Sequence, residues 1–202
     1  QEVTYSVMMP IVLEDGAATL TEHYRRLGLA LEAACHLLAL PVQLARPQVR
    51  SASTRPLPSP ACFAALSRYE LSVDGKKLIG SAQKRAQNAL LQHGAIPLGL
   101  DRQRLFQCLR VPAAQRERLV QEAYTTMVAV NEVAAEPVTT AALHAAVRQG
   151  FRRVLGVELL EAPITPAEWH LAQELCRTKY ATADWNLGGA VAWRQRQARQ
   201  AP

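Results

Sequence analysis

The stretch Pro60-Ala-Cys62-Phe-Ala-Ala-Leu-Ser-Arg-Tyr69-Glu-Leu-Ser-Val-Asp74-Gly75-Lys76-Lys77-Leu-Ile-Gly80-Ser81-Ala82-Gln83 decides the fold, together with Leu90-Leu-Gln-His93-Gly94 a little further on. Tyr69, Leu71 and Val73 alternate with Glu70 and Ser72, which predicts a half-buried strand. Asp74-Gly75 is the favoured two-residue hairpin turn, and Lys77 to Gln83 supplies the returning strand. Leu90 to Leu98 reads as another strand, interrupted by the polar Gln92-His93-Gly94. The hairpin makes the pairing antiparallel.

Upstream, Val3 to Met9 is β-prone and apolar, and Pro10 closes it. Asp15-Gly16 marks a turn. From about Leu20 to Leu40, Leu27, Ala30, Leu31, Ala34, Leu37 and Leu38 recur at helical spacing, and Pro41 stops the helix. Residues 47–60 hold four prolines, three serines and two arginines, which predicts a loop. Up to about residue 100 the chain is therefore mostly sheet with one long helix.

After Asp101 the pattern turns helical. The charged, alanine-rich stretch 113–135 predicts one helix. Val138-Thr-Thr starts another, whose Leu143, Val147, Phe151 and Val154 share a face and which Gly156 ends. Thr165-Pro166-Ala-Glu168 is a capping box with proline at the first helical position, opening a helix to about Tyr180. The Gln/Arg-rich end after Asp184-Trp185-Asn186 predicts a frayed tail.

A chain of 202 residues is long enough for one generous domain, or one with a small appendix. Its 49% hydrophobic and 5% aromatic residues are an ordinary globular composition, with a core built mainly from Ala, Leu and Val. The formal net charge of +6 and pI near 9.5 point to an acidic partner. No basic run interleaved with aromatics is present, which argues against nucleic acid. The longest weakly charged stretch, Leu27 to Ala45, is broken by Glu32, His36 and Pro41 and is no membrane span. Four cysteines stand at 35, 62, 108 and 176 without metal-ligand pairing or a dense framework. A reduced, cytoplasmic chain with no metal is the reading that follows.

Cys62 is the candidate nucleophile. A free cysteine is often just a small buried apolar residue, but Pro58, Pro60 and Ala61 set this one on a loop rather than in a periodic face. One strand and one tight turn join it to Lys77, so a thiol and an ammonium can face each other across the hairpin. An ammonium beside a thiol favours the thiolate. Lys76 is the rival of Lys77, because adjacent strand residues point to opposite faces and only one of them can reach the site. A surface charge is the ordinary alternative for either. Gly80, Ser81 and Ala82 are small residues in succession, either a site of close ligand approach or a tight packing spot. His93, beside Gly94, is a candidate substrate contact or base, weighed against a hydrogen-bonded structural histidine. The other three cysteines fall inside helical patterns.

Lys77 directly before a hydrophobic-x-Gly80-Ser81-Ala82 segment resembles the hallmark of the biotin/lipoate protein-ligase superfamily. Within it, Cys62 in Pro-Ala-Cys-Phe is similar to the LipM-type octanoyltransferases. Tyr180-Ala-Thr-Ala-Asp-Trp185-Asn186 is similar to a Tyr-x-x-x-x-Trp-Asn motif near the family's helical end, so the resemblance spans essentially the whole chain. The family's Arg-Arg-x-x-Gly-Gly signature, which precedes a segment like Glu2-Val-Thr-Tyr-Ser-Val7, is not found here. The resemblance therefore implies a chain that starts in mid-domain.

The fold so implied is α+β: a mixed or antiparallel central sheet with flanking helices and a small C-terminal helical subdomain. Residues 1–110 would be the remainder of the catalytic domain, 111–186 a helical segment packed on it, and 187–202 a frayed tail. The resemblance implies an octanoyltransferase with Cys62 as acyl-thioester nucleophile, Lys77 as its electrostatic partner, and Gly80, Ser81, Ala82, His93 and Gly94 around the acyl group. The donor would be octanoyl-acyl carrier protein and the acceptor a lysine of a lipoyl domain or of a glycine-cleavage H protein. No ATP, metal or other cofactor would be needed. The rivals are an ATP-dependent lipoate ligase or an amidotransferase of the same fold, and a non-catalytic binding protein that retains it.

Overall fold

The computed structural model describes residues 1–10, 20–45, 69–86 and 88–189. The expected Asp15-Gly16 turn, the 47–60 loop, Cys62 and the chain end from residue 190 lie outside the described residues.

Five strands form one antiparallel sheet in the order β1-β5-β4-β3-β2. These are β1 (Glu2–Pro10), β2 (Gln43–Leu44), β3 (Leu71–Val73), β4 (Lys76–Ala86) and β5 (Ala89–Pro97). Asp74 and Gly75 both take positive φ, 49° and 76°, the left-handed pair that a two-residue hairpin requires. Helix α1 (Leu20–Leu37) buries Leu27, Ala30, Leu31, Ala34 and Cys35. Helix α5 (Thr140–Leu155) starts at the Thr139 cap and ends at Gly156 with φ 67°. It sets Leu143 and Phe151 into the core that holds α1 and the sheet. At Gly150 a side chain would run into the Ala30 carbonyl and Ala34, so glycine is what lets α5 approach α1 this closely.

Helices α2 (Arg102–Gln107), α3 (Ala113–Thr126) and α4 (Val130–Val133) follow β5. A second small core of Phe106, Leu119, Val120, Ala123 and Met127 ties α2 to α3. Residues 1–159 form one compact unit containing all of these elements. The second unit, from Leu160, holds α6 (Pro166–Leu175), opened by the Thr165 capping box. A π-helical turn, Cys176–Tyr180, follows it. Within that unit the Tyr180 and Trp185 rings meet edge to face at 5.3 Å, and Asn186 Nδ2 donates to the Tyr180 and Thr182 carbonyls.

Two local expectations need correction. The strand expected from Tyr69 is only Leu71–Val73, and all three residues are buried, as is Glu70. Alternation fails there because both faces of this short strand are covered, and Tyr69, at φ 60°, breaks the extended run. The single helix expected over 113–135 is two, separated by extended Met127–Ala129. The break is held from outside: Val128 N donates to the Lys77 carbonyl at 3.0 Å, and Arg102 Nη2 donates to the Met127 carbonyl at 2.9 Å.

Candidate functional site

The β3–β4 hairpin delivers Lys77 to the interior. The tight turn sets Val73 opposite Lys76 and Ser72 opposite Lys77, and a bulge then lets Leu71 pair with Ile79. A bulge re-aims side chains and sharpens the local twist. Lys77 is only 4% exposed, whereas its neighbour Lys76 is half-buried. Its Nζ lies 2.8 Å from Glu70 Oε1, with both side chains almost wholly out of solvent. Glu70 is fixed from behind, since its carbonyl accepts from Ala45 N and Tyr69 N donates back to the Ala45 carbonyl. Removing one member of such a pair leaves a buried charge without its partner, which typically costs about 3–5 kcal/mol.

The backbone under Lys77 is held by a long-range clamp. Arg102 makes two bonds to the Glu132 carboxylate, at 2.7 and 2.8 Å. Glu132 Oε2 also accepts from Ala129 N, and Arg102 holds the Met127 carbonyl. The segment thus pinned is the one that donates to the Lys77 carbonyl. The Arg102 guanidinium holds the Glu132 carboxyl below the usual carboxylate range, with Ala129 N adding to the effect.

Next to the hairpin, a row of residues crosses three strands. Tyr5 on β1 pairs with Gly94 on β5, and Gly94 pairs with Ser81 on β4. The Tyr5 hydroxyl reaches Ser81 Oγ at 2.6 Å by lying across the bare glycine. A Cβ at Gly94 would come within 2.7 Å of the Tyr5 ring and 3.0 Å of Ser81 Oγ, and would collide with the Gly80 carbonyl. Gln92 Nε2 donates to Tyr5 Oη at 2.9 Å, Gln83 Nε2 donates to Gln92 Oε1 at 2.8 Å, and Tyr24 on α1 donates to the Ser81 carbonyl at 3.0 Å. Phe151 buttresses the Tyr5 ring at 6.3 Å, edge to face.

Burial pushes the Tyr5 phenol up, its hydrogen bonds to Ser81 and Gln92 partly oppose this, and the Glu70 charge adds to it. Tyr24 moves the same way, chiefly through burial and then through Glu70. Both are neutral hydroxyls at pH 7.

Of the residues the sequence singled out, Gly80, Ser81 and Gly94 come together here, while Lys77, paired with Ser72 across the bulge, faces the other side of β4 from Ile79 and Ser81. Ala82 pairs with His93 one position along, and both are exposed on the opposite side of the sheet from Ser81 and Gly94. Cys62 lies outside the described residues. Among the other cysteines only Cys35 is buried, its thiol pushed up to about 12 mainly by burial, whereas Cys108 and Cys176 are exposed. Sequence reasoning missed Glu70, Tyr5, Tyr24, Gln83 and Gln92. Glu70 read as the solvent-facing member of an alternating strand, and Tyr5 gains its meaning only once β1 is known to lie beside β5.

Residues 1–152 match the family described as the lipoyl protein ligase A/B catalytic domain. The octanoyltransferase LipM of Brevibacillus brevis is 39% identical over 194 residues, which cover 93% of this chain and 69% of that protein. LipM of Bacillus subtilis is 35% identical over 189 residues, covering 92% and 68%. A bi-partite lipoate protein ligase from Thermoplasma acidophilum superposes with a TM-score of 0.72 at 22% identity, over 93% of this chain and 64% of that one. A lipoate-protein ligase A bound with ATP gives a TM-score of 0.68 at 23% identity, over 93% and 66%. These two likenesses establish the α+β fold, and the chain spans about two thirds of the length of the proteins it matches. With that fold, the lysine before Gly80-Ser81-Ala82 and a family match over residues 1–152, the chain belongs to the lipoyl protein ligase A/B catalytic domain family.

Proposed function

We propose that this chain is the catalytic part of an octanoyltransferase of lipoate biosynthesis, moving an octanoyl group from acyl carrier protein to a lysine of a lipoyl-accepting protein. The observation that carries the reading is similarity to LipM octanoyltransferases, at 35% and 39% identity across more than nine tenths of the chain. The buried Lys77, three residues before Gly80 on β4, supports it, because a fixed ammonium there can stabilise negative charge as it develops on an acyl group.

In this reading the Cys62 thiolate attacks the carrier thioester. The carbonyl carbon–sulfur bond to the carrier breaks, the carrier leaves as a thiol, and Cys62 holds the octanoyl group. The acceptor lysine, as a free amine, then attacks that thioester, forms the amide and returns the Cys62 thiol. Splitting the transfer into two steps is what a nucleophile provides. Lys77 favours the thiolate, and Ser81 with Gly94 borders the acyl carbonyl. The thioester is already activated, so the reaction proceeds without ATP. The acceptor is glycine-cleavage H protein or a similar lipoyl domain, and the formal net charge of +6 suits acidic partners. A cytoplasmic location goes with widely separated cysteines. Among the described residues no helix is long and apolar enough to cross a membrane.

The test is intact mass after incubation of the full-length protein with octanoyl-acyl carrier protein. One octanoyl mass on Cys62, labile to hydroxylamine and absent from Cys62→Ser, is expected. An adduct on Cys35, Cys108 or Cys176 overturns the nucleophile. Acylation of an acceptor that needs ATP and free octanoate hands the case to a ligase.

A further inference from the structure

Helix α5 has two faces of opposite character. Inward, Leu143, Ala146, Gly150 and Phe151 are buried, and the Phe151 ring backs Tyr5 of the Ser81 row. Outward, every charged residue of the helix is an arginine: Arg148, Arg152 and Arg153, all exposed. With Ala145, Gln149 and Glu158 they line a groove along the second half of the helix. Against three guanidinium groups the groove sets one carboxylate, that of Glu158. Among the described residues neither Arg152 nor Arg153 has an ion-pair partner.

Helix stability does not ask for this arrangement. A single basic residue in the last turn already meets the helix dipole, an effect of about 0.3–1 kcal/mol. Arg148 and Arg152 stand four residues apart, a spacing at which like charges cost about 0.2–0.5 kcal/mol and an opposite pair gains as much. Guanidinium groups left without carboxylates along a concave surface are a receptor for carboxylates, which they hold through paired N–H donors.

We propose that the outer groove of α5 docks an acidic face of the carrier protein that delivers the acyl group, with Arg152 and Arg153 as its principal contacts. This rests on the transferase reading and adds where the donor binds. The acceptor reacts through a lysine side chain, so its surface must come up to the acyl carbonyl itself. The donor thioester rides on a long flexible arm, so the body of the carrier can rest at a distance. Helix α5 provides that distance: Arg152 follows Phe151 in the chain, and the two faces are one helix thickness apart, about 10–12 Å. Positive charge there also speeds encounter with an acidic partner, an effect that falls with salt.

The experiment compares two octanoyl donors on the full-length protein: octanoyl-acyl carrier protein, and octanoyl-pantetheine, which has no acidic body. Arg152→Glu/Arg153→Glu should raise KM for the carrier donor by roughly tenfold or more, the lower end for close charge pairs across an interface. It should leave kcat, and the use of octanoyl-pantetheine, near wild type. Arg152→Gln/Arg153→Gln keeps the helix end free of added negative charge and should show a smaller rise of the same kind, so the test survives a misfolded reversal. Arg104→Glu/Arg118→Glu removes as much positive charge at exposed positions on α2 and α3 and should change the carrier KM little. An unchanged carrier KM in both α5 variants overturns the proposal. Equal loss in the α2/α3 variant also overturns it, since net charge alone would then be at work. A rise in the acceptor KM instead overturns the choice of partner. Wild type that transfers from neither donor sinks the transferase reading itself, whereas transfer with an unchanged carrier KM sinks only the groove.

Discussion

Tyr5 and Ser81 sit on strands that do not touch, yet their hydroxyls are 2.6 Å apart, because Gly94 on the strand between them leaves room for the Tyr5 ring. That makes Gly94 a structural requirement of the Ser81 face. Gly94→Ala puts a carbon against the Gly80 carbonyl, which is backbone, and against the ring. Overpacking of this kind costs about 1–3 kcal/mol, and urea denaturation should register it. A variant as stable as wild type, with Tyr5 unmoved, would refute the close crossing.

Tyr5→Phe keeps the ring over Gly94 and removes only the hydroxyl. Ser81 Oγ and Gln92 Nε2 both lose a partner in a mostly buried place. The expected loss is about 1–3 kcal/mol, the usual penalty for a polar group left unsatisfied. Tyr5→Phe/Gln92→Leu should cost less than the sum of the two single changes, since the second removes the stranded donor. Additive losses would mean that the Gln92 bond carries little.

Alkaline pH should loosen this face. Tyr5 and Tyr24 both have phenol pKa values raised in the folded protein. Their contribution is therefore fully present below the unfolded value near 10, and is lost as pH rises from there through the folded pKa. Stability followed across that window should fall, and Tyr24→Phe should flatten the fall. A slope unchanged by Tyr24→Phe would show that Tyr24 is not held as described.

Acid has the opposite sign at the Arg102–Glu132 clamp. Glu132 has a lowered pKa in the folded protein, so its contribution is present above the ordinary carboxylate range and is lost as pH falls through the folded value. Because Glu132 is partly exposed, the loss should be modest. Glu132→Gln should reduce the acid sensitivity of unfolding and lower stability at neutral pH, where the bidentate pair is intact. Equal acid profiles for the two proteins would remove the clamp as a support for Met127–Ala129.

The parts legible in the sequence are those whose cause is local. Asp74-Gly75 announces its hairpin, Thr165-Pro166 with Glu168 its helix start, and Gly156 its helix stop, because the residues that make each feature lie within a turn of one another. The break at Met127–Ala129 was hidden, since the groups that hold it, the Lys77 carbonyl and Arg102, lie 25 or more residues away in the chain. At the site, Lys77 could be preferred to Lys76 by the period of a strand and by family resemblance. Glu70 could not be found that way, because period-two reading assumes one wet face and β3 has none. Tyr5 needed the strand order, which no short-range pattern encodes.

The last prediction joins Lys77, Glu70 and Cys62. If the thiol meets the Lys77 ammonium in the folded protein, Cys62 should be alkylated faster at neutral pH than an ordinary thiol, and exposed Cys108 and Cys176 provide the reference within the same molecule. Lys77→Ala should slow Cys62 and move the midpoint of its alkylation profile up towards about 8.5, the free-thiol value. Glu70→Gln should act in the other direction, because the carboxylate that offsets the ammonium at 2.8 Å is gone and more of its field falls on the thiol. Lys76→Ala, half-buried and one residue off the buried pair, should change nothing. Lys77→Arg keeps the charge but puts a planar fork in a tight place, so partial rescue is expected. Mass spectrometry resolves the three cysteines site by site. Identical Cys62 profiles in Lys77→Ala and Lys76→Ala would mean that the ammonium does not reach the thiol. The buried pair would then serve the fold, but not the activation of the nucleophile.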